Sequence, residues 1–195
     1  MNILLILSTI WTLIYFKFNK VSFNSRRSVR TFRSVGIPIF QVKKNGRCSF
    51  GNQVSLVNTA KSSTLGRCNR CKLLVYSDAQ LIIGNKVGMS NTTIVATKFI
   101  RIGNNVMIGG GSTIVDSDFH SLNPEFWHTP KDEIHMKSSD VIINDNVFIG
   151  MNAIILKGVN IGSNVIIAAG SVVTKDIPDF EIWGGNPAKF IRKNS

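Results

Sequence analysis

Residues 143–173 read INDNVFIGMNAIILKGVNIGSNVIIAAGSVV, and their spacing decides the fold. Ile143, Ile149, Ile155, Ile161, Ile167 and Val173 stand six residues apart without a break. Upstream, the same interval joins Ile83, Met89 and Val95 and, after a slip of one residue, Ile102, Ile108 and Ile114. Gly or Ala often follows the apolar residue, as at Gly84, Gly103, Gly109, Gly150, Gly162 and Ala168. A small or β-branched residue often stands four places on, as at Val87, Val106, Ser112, Ala153 and Val165. A period of six fits neither the 3.6 of a helix nor the alternation of an ordinary strand.

The pattern fits a coil of short strands. Side chains alternate across a strand, so one apolar residue in six can point inward while its neighbours point out. Three such strands, about eighteen residues, close a triangular turn. Glycine near a corner permits tight backbone geometry. A single turn cannot bury its own core, so turns must stack.

The runs Ile102-Gly103-Asn104-Asn105-Val106, Ile149-Gly150-Met151-Asn152-Ala153 and Ile161-Gly162-Ser163-Asn164-Val165 resemble the hexapeptide repeats of left-handed β-helix acyltransferases. So does the close Ala169-Gly170-Ser171-Val172-Val173-Thr174-Lys175-Asp176-Ile177-Pro178, with Gly185-Asn186-Pro187-Ala188-Lys189 after it. That ending is similar to the galactoside, maltose and xenobiotic O-acetyltransferase branch. The resemblance covers roughly residues 80–195 and implies an all-β, left-handed parallel β-helix. The hand comes from the resemblance alone, because it runs against the usual right-handed crossover.

Charge divides the chain. The net charge is +12, but residues 1–77 hold thirteen Lys and Arg and no Asp or Glu. Residues 78–195 hold ten Lys and Arg against eleven Asp and Glu. The repeat body is thus nearly neutral, which argues against a nucleic-acid partner for it. Residues 3–16 form an apolar run broken only by Ser and Thr. The run is short of the roughly 20 residues of a full span. Trp11, Tyr15, Phe16 and Phe18 suit a membrane interface, and Lys17, Lys20, Arg26, Arg27, Arg30 and Arg33 follow. An apolar segment beside a basic cluster predicts a monotopic or re-entrant anchor. The body would then lie on the cytoplasmic side, attached peripherally to the inner face of the plasma membrane. The alternative is a helix that packs on the coil or on a neighbouring subunit.

The expected organisation is an N-terminal arm over residues 1–34, irregular capping coils over 35–80, the β-helix over 81–178 and a tail over 179–195, in which Phe180, Ile182 and Trp183 cover the end of the core and Ala188–Asn194 form a short helix or arm. The rhythm breaks over an excursion at 115–141. Three cysteines, an odd number, exclude a complete internal disulfide framework. Cys68 and Cys71 have CxxC spacing among arginines that would lower a thiolate pKa, against the plainer reading of reduced, inert thiols.

All three histidines, His120, His128 and His135, fall in the excursion. Long loops on a rigid scaffold favour chemistry. Moving an acetyl group from a thioester to a hydroxyl needs a base, oxyanion donors and a site for both substrates. His120 lies six residues after Ile114 and is the candidate general base, with Asp116 or Asp118 to orient its ring. The resemblance points to the same histidine. It also implies that Asn91 binds the acceptor, with Phe148 where the galactoside enzymes carry tryptophan. It implies a coenzyme A arm near Gly150, Ala169 and Gly170, with Thr174, Lys175, Lys189 and Arg192 at the nucleotide end. Acetyl-CoA as co-substrate, a homotrimer with sites between subunits, and a saccharide or lipid-linked saccharide acceptor in bacterial surface-polysaccharide biosynthesis follow in the same way. No metal is expected. The rival readings are a zinc enzyme of the carbonic anhydrase type, built on the three histidines, and a non-catalytic scaffold at the membrane.

Overall fold

The computed structural model describes residues 3–60 and 70–194. Helix α1 (Ile3–Phe18) leads into a coil that starts much earlier than the hexapeptide pattern indicates. The first coil holds β1 (Ser22–Phe23), the short helix α2 (Arg26–Thr31), β2 (Arg33–Val35) and β3 (Ile39–Val42). The second holds β4 (Arg47–Phe50), β5 (Ser55–Val57) and β6 (Lys72–Val75). The third holds β7 (Gln80–Ile83), β8 (Gly88–Ser90) and β9 (Thr93–Ala96). The fourth holds β10 (Phe99–Ile102), β11 (Met107–Ile108) and β12 (Thr113–Val115). After the excursion come β13 (Val141–Ile143), β14 (Phe148–Ile149) and β15 (Ile154–Ile155). A sixth coil has β16 (Asn160–Ile161), β17 (Ile166–Ile167) and β18 (Val172–Val173). Strands β19 (Glu181–Gly184) and β20 (Lys189–Lys193) end the chain.

Every third strand pairs, in parallel, so the described residues form three sheets around one core. The fold is the left-handed parallel β-helix. Inward residues stack in columns. Phe50, Ile83, Ile102, Ile143 and Ile161 form one, in strand register. Leu56, Met89, Ile108, Ile149, Ile167 and Trp183 form another. The third runs Phe40, Leu73, Ile94, Ile114, Ile155 and Val173. Ile94, not Val95, takes the column position, so the rhythm shortens to five residues between Met89 and Ile94 and lengthens to eight between Ile94 and Ile102. Asn91, at the shortened corner, is in the left-handed region at φ 49°, a conformation Asn tolerates better than most residues.

Corners stack as closely as strands. A Cβ on Gly150 would lie 2.5 Å from the Ala169 nitrogen, and one on Gly109 would lie 2.5 Å from the Met151 nitrogen. The glycine column therefore records the approach of one coil's backbone to the next.

The early coils are regular in register although their sequence is not. Instead of a hexapeptide rhythm, phenylalanines fill their wider interior. Phe16 of α1 lies 4.7 Å from Phe40, 5.3 Å from Phe50 and 5.5 Å from Phe32, centroid to centroid. Helix α1 thus closes the N-terminal end of the core, and the alternative of packing on the coil is realised. Among the described residues no helix is long and apolar enough to cross a membrane.

The C-terminal segment is neither helix nor free arm. Strand β19 adds to β17 in parallel, and β20 folds back on it antiparallel. Trp183 closes that end, and its indole N–H donates to Glu181 at 2.7 Å. Lys193 reaches the same carboxylate at 2.8 Å. These two donors hold the Glu181 carboxyl below its usual range.

Phe16 is fully buried and Phe18 is 83% exposed, two residues apart on one helix. Phe16→Ala is expected to cost about 3–5 kcal/mol and Phe18→Ala less than about 0.5 kcal/mol. Urea unfolding of the two variants measures both.

Candidate active site

The excursion leaves the coil after β12 and re-enters at β13. Its neck is closed by an antiparallel bridge between Ser117 and Ser138 and by the Asp118 amide, which donates to Lys137 O at 3.1 Å. Asp116 fixes the neck from inside. It is fully buried, and its carboxylate accepts four bonds: from the amide and hydroxyl of Thr97, both at 2.7 Å, and from the amides of Lys98 at 2.8 Å and Phe99 at 2.9 Å. A carboxylate so saturated has nothing left for a neighbouring ring. Asp118 turns instead to Lys157, at 3.1 Å.

Neither aspartate therefore orients His120, and the partner is Asp132. Its Oδ2 lies 2.7 Å from His120 Nδ1, while its Oδ1 accepts the Ser121 amide at 2.6 Å. Asp132 comes from the first turn of α3 (Pro130–Ile134), where Thr129 caps the helix by accepting the Lys131 amide at 3.2 Å. Thr followed by Pro is a helix-start signal. It was legible in the sequence, but it did not say which side chain the short helix would return to the histidine. The imidazole and the Ser121 amide together hold the Asp132 carboxyl below its usual range. The carboxylate thus stays ionised and fixes the ring, leaving Nε2 without a hydrogen-bond partner among the described residues.

Phe119, just before the histidine, is at φ 62°. Such a backbone is costly for a bulky residue and needs support, which comes from the Phe119 amide bonding Ser117 Oγ at 2.9 Å. His120, Trp127, His128 and Asp132 line a cavity of about 300 Å³. The Trp127 indole N–H donates to Ser121 O at 2.7 Å, which sets one wall. His135 lies apart, its ring tilted against Phe126 at 4.3 Å with a ring nitrogen 2.9 Å from Lys131 O. Among the described residues no three His, Cys, Asp or Glu side chains come together as a ligand set, and His135 does not line the cavity that His120 and His128 share.

The other expected site residues lie elsewhere on this chain. Asn91 is buried at the corner between β8 and β9. Phe148 is half-exposed in a shallow groove with Met107, Gly88 and Ser90. Neither lines the His120 cavity. Gly150 is buried in the corner column, whereas Ala169 and Gly170 are exposed at the corner after β17, and Thr174 and Lys175 at the next corner, after β18. The Lys175 ammonium sits 5.3 Å from the centre of the Trp183 ring. Lys189 and Arg192 are exposed on β20.

Cys71 of the CxxC pair is not a surface thiol. Cys71 is buried, with its thiol 3.5 Å from Val57 O, and burial pushes its pKa up to about 11. Burial raises the Cys48 thiol as well. Burial overrides the arginine neighbours, since a thiolate loses its hydration in the core. Cys68 lies outside the described residues.

Comparison with known proteins agrees with the coil. Residues 140–175 match the family described as bacterial transferase hexapeptide (six repeats). The galactoside O-acetyltransferase of Lactococcus lactis subsp. lactis (strain IL1403) is 40% identical over 103 residues, 53% of this chain and 47% of that protein. This chain thus spans about half the length of the curated relatives it matches. Among solved structures, a hexapeptide-repeat acetyltransferase of Vibrio cholerae O1 biovar eltor, complexed with acetyl coenzyme A, is 30% identical. It superposes with a TM-score of 0.53 over 59% of this chain and 61% of that one. An N-acyltransferase from Bacillus cereus, in complex with dTDP-4-amino-4,6-dideoxyglucose and coenzyme A, superposes with a TM-score of 0.69 over 94% and 88% of the two chains. At 17% identity that is a likeness of fold alone.

Asp132 has a folded-state pKa below its unfolded value. Its contribution to the order of the excursion is therefore complete above the unfolded carboxylate value of about 3.9. It is lost as the pH falls through the lower folded value. In 15N–1H spectra the Ser121 amide should move upfield over that acid window. Asp132→Ala should place it at the acid position at neutral pH, with no further titration.

Proposed function

We propose that this chain, whose residues 140–175 match the bacterial transferase hexapeptide family, is an acetyl-CoA-dependent O-acetyltransferase acting on a saccharide. The observation that carries the reading is the His120–Asp132 pair at the mouth of a cavity, on a loop anchored to a rigid coil. Direct transfer needs no nucleophile from the protein. The acceptor hydroxyl attacks the thioester carbonyl and gives its proton to His120 Nε2. Asp132 keeps Nδ1 as the donor nitrogen and stabilises the imidazolium that forms. The tetrahedral intermediate then expels the thiol, and the proton returns from His120 to the leaving sulfur.

The remaining residues support a site completed by a second copy of the chain. Asn91 and Phe148 are acceptor-binding in this reading, and in one subunit they lie off the His120 cavity. A neighbour's sheet face could bring its own Asn91 and Phe148 to that cavity. Met107 and Phe148, apolar and 59% and 42% exposed, suit a face that another subunit covers. A closed ring of three such faces fits a triangular coil. The donor's pantetheine arm would run past Gly150, Ala169 and Gly170, with Thr174, Lys175, Lys189 and Arg192 near its phosphates. The acceptor in this reading is a saccharide, in free or lipid-linked form, of a bacterial surface polysaccharide.

Release of thiol from acetyl-CoA should be stimulated by an acceptor saccharide, and His120→Ala should lower it by at least about a hundredfold. Asp132→Asn should lower it by a smaller factor while leaving coenzyme A binding intact. A protein that neither binds coenzyme A nor releases thiol would overturn the reading. Stimulation by amines and not by sugars would move the acceptor to nitrogen.

A further inference from the structure

Helix α1 is arranged inside out. Its hydroxyl groups face the protein. Thr9 Oγ1 donates to Ser34 O at 3.3 Å and accepts the Ser34 amide at 3.0 Å. Ser8 also donates to Ser34 O, and Tyr15 OH donates to Phe40 O at 2.7 Å. Ser34 and Phe40 belong to β2 and β3, the end strands of their sheets. Their outward backbone groups would otherwise be an open edge. The helix therefore lies across the N-terminal end of the coil and satisfies that edge with side-chain hydroxyls. Thr9 and Thr12, which interrupt the apolar run in the sequence, are buried.

Its hydrocarbon faces out. Ile3, Leu7, Ile10, Trp11, Ile14 and Phe18 are 42–83% exposed and follow the helical spacing of a single face. Cations line that face along the flank next to α2. Arg30 and Arg33 lie beside Ile6 and Ile10, and Lys17 beside Leu13 and Ile14. Arg26 and Arg27 on α2 and Lys20 just past the end of α1 are exposed as well. None of the six is in an ion pair among the described residues, and residues 1–77 contain no Asp or Glu at all.

We infer that the outer face of α1 binds the surface of an anionic lipid bilayer, with the helix lying in the interfacial plane. The helix is 16 residues long, too short to span. An apolar face and a rim of unpaired cations together make the two-signal combination that holds a protein at a charged membrane. The absence of acidic residues from this end selects an anionic surface over a second copy of the same end, since like charges would oppose that contact. The coil then stands on the bilayer. Three strand spacings in one sheet separate β3 from β12, which carries the excursion, so the loop's root lies about 14 Å up the coil from its first strand. This inference is independent of the transferase reading.

The full chain should co-sediment with vesicles of phosphatidylcholine and phosphatidylglycerol and much less with phosphatidylcholine alone. Leu7→Asp with Trp11→Asp should lower the partition coefficient at least about tenfold, and replacing Arg26, Arg27 and Arg30 by serine should lower it about fivefold per charge. Thermal melting of each variant establishes that the coil is intact. A test that needs no disruptive variant is quenching of wild-type tryptophan emission by brominated lipid, which should largely disappear in Trp11→Phe. Binding to neither vesicle would overturn the inference. So would binding that survives Leu7→Asp with Trp11→Asp. If those variants instead reduce the mass in solution by light scattering while the wild type ignores vesicles, the occupant of the face is a second copy of the chain.

Discussion

Backbone hydrogen bonds between residues one coil apart hold this protein in register. The Gly150 amide bonds Ile167 O at 2.8 Å, and the Met107 amide bonds Val147 O at 2.9 Å. The spacing they impose, about 4.8 Å, leaves room for one inward side chain per strand position in each coil. Like therefore stacks on like, as Ile102, Ile143 and Ile161 do. At corners the same spacing leaves no room for a Cβ, hence Gly109 and Gly150. A ladder of this kind has two open ends, and much of the remaining structure serves to close them. Phe16 and the hydroxyls of α1 close one, and Trp183 with the β19–β20 pair closes the other.

Rigidity of the coil is also what makes the excursion useful. Asp116 bolts its root to three consecutive amides of the preceding turn, so the residues just beyond it start from a fixed point. His120 itself is 73% exposed and would be mobile on its own. Asp132 and the Ser121 amide supply the constraint that the solvent side lacks. An aspartate close to the histidine in sequence thus builds the platform, and a distant one sets the ring. The buried aspartate belongs to the fold, and the His120–Asp132 pair lies at the cavity.

The ends of the coil differ electrically, and the difference aligns with their packing. The basic residues gather where the chain is also most apolar on its outside, around α1. Hydroxyl-bearing residues that would weaken a membrane-spanning segment are consumed by the edge of β2 and β3. A helix with this layout gains nothing from entering a bilayer edge-on, because turning its inner face to lipid would expose those polar groups and reopen the core.

The sequence by itself determined the coil over its regular half. A strict six-residue interval from Ile143 to Val173 has few other physical solutions, and the histidine at the mouth of the excursion stood out by position. Three things were decided only in three dimensions. The early coils lack the interval because aromatic side chains of several coils share one space there, and packing of that kind leaves no period. The six-residue interval does not tell Ile94 from Val95 as the column residue, because the two are adjacent and alike, and only the register with Ile114 and Leu73 separates them. The partner of His120 was misplaced because nearness in sequence favoured Asp116 and Asp118. In the folded chain, Asp116 is drawn inward by unpaired amides, and a loop that doubles back delivers Asp132. Periodic burial is written locally, whereas partnerships across a loop depend on where the chain returns.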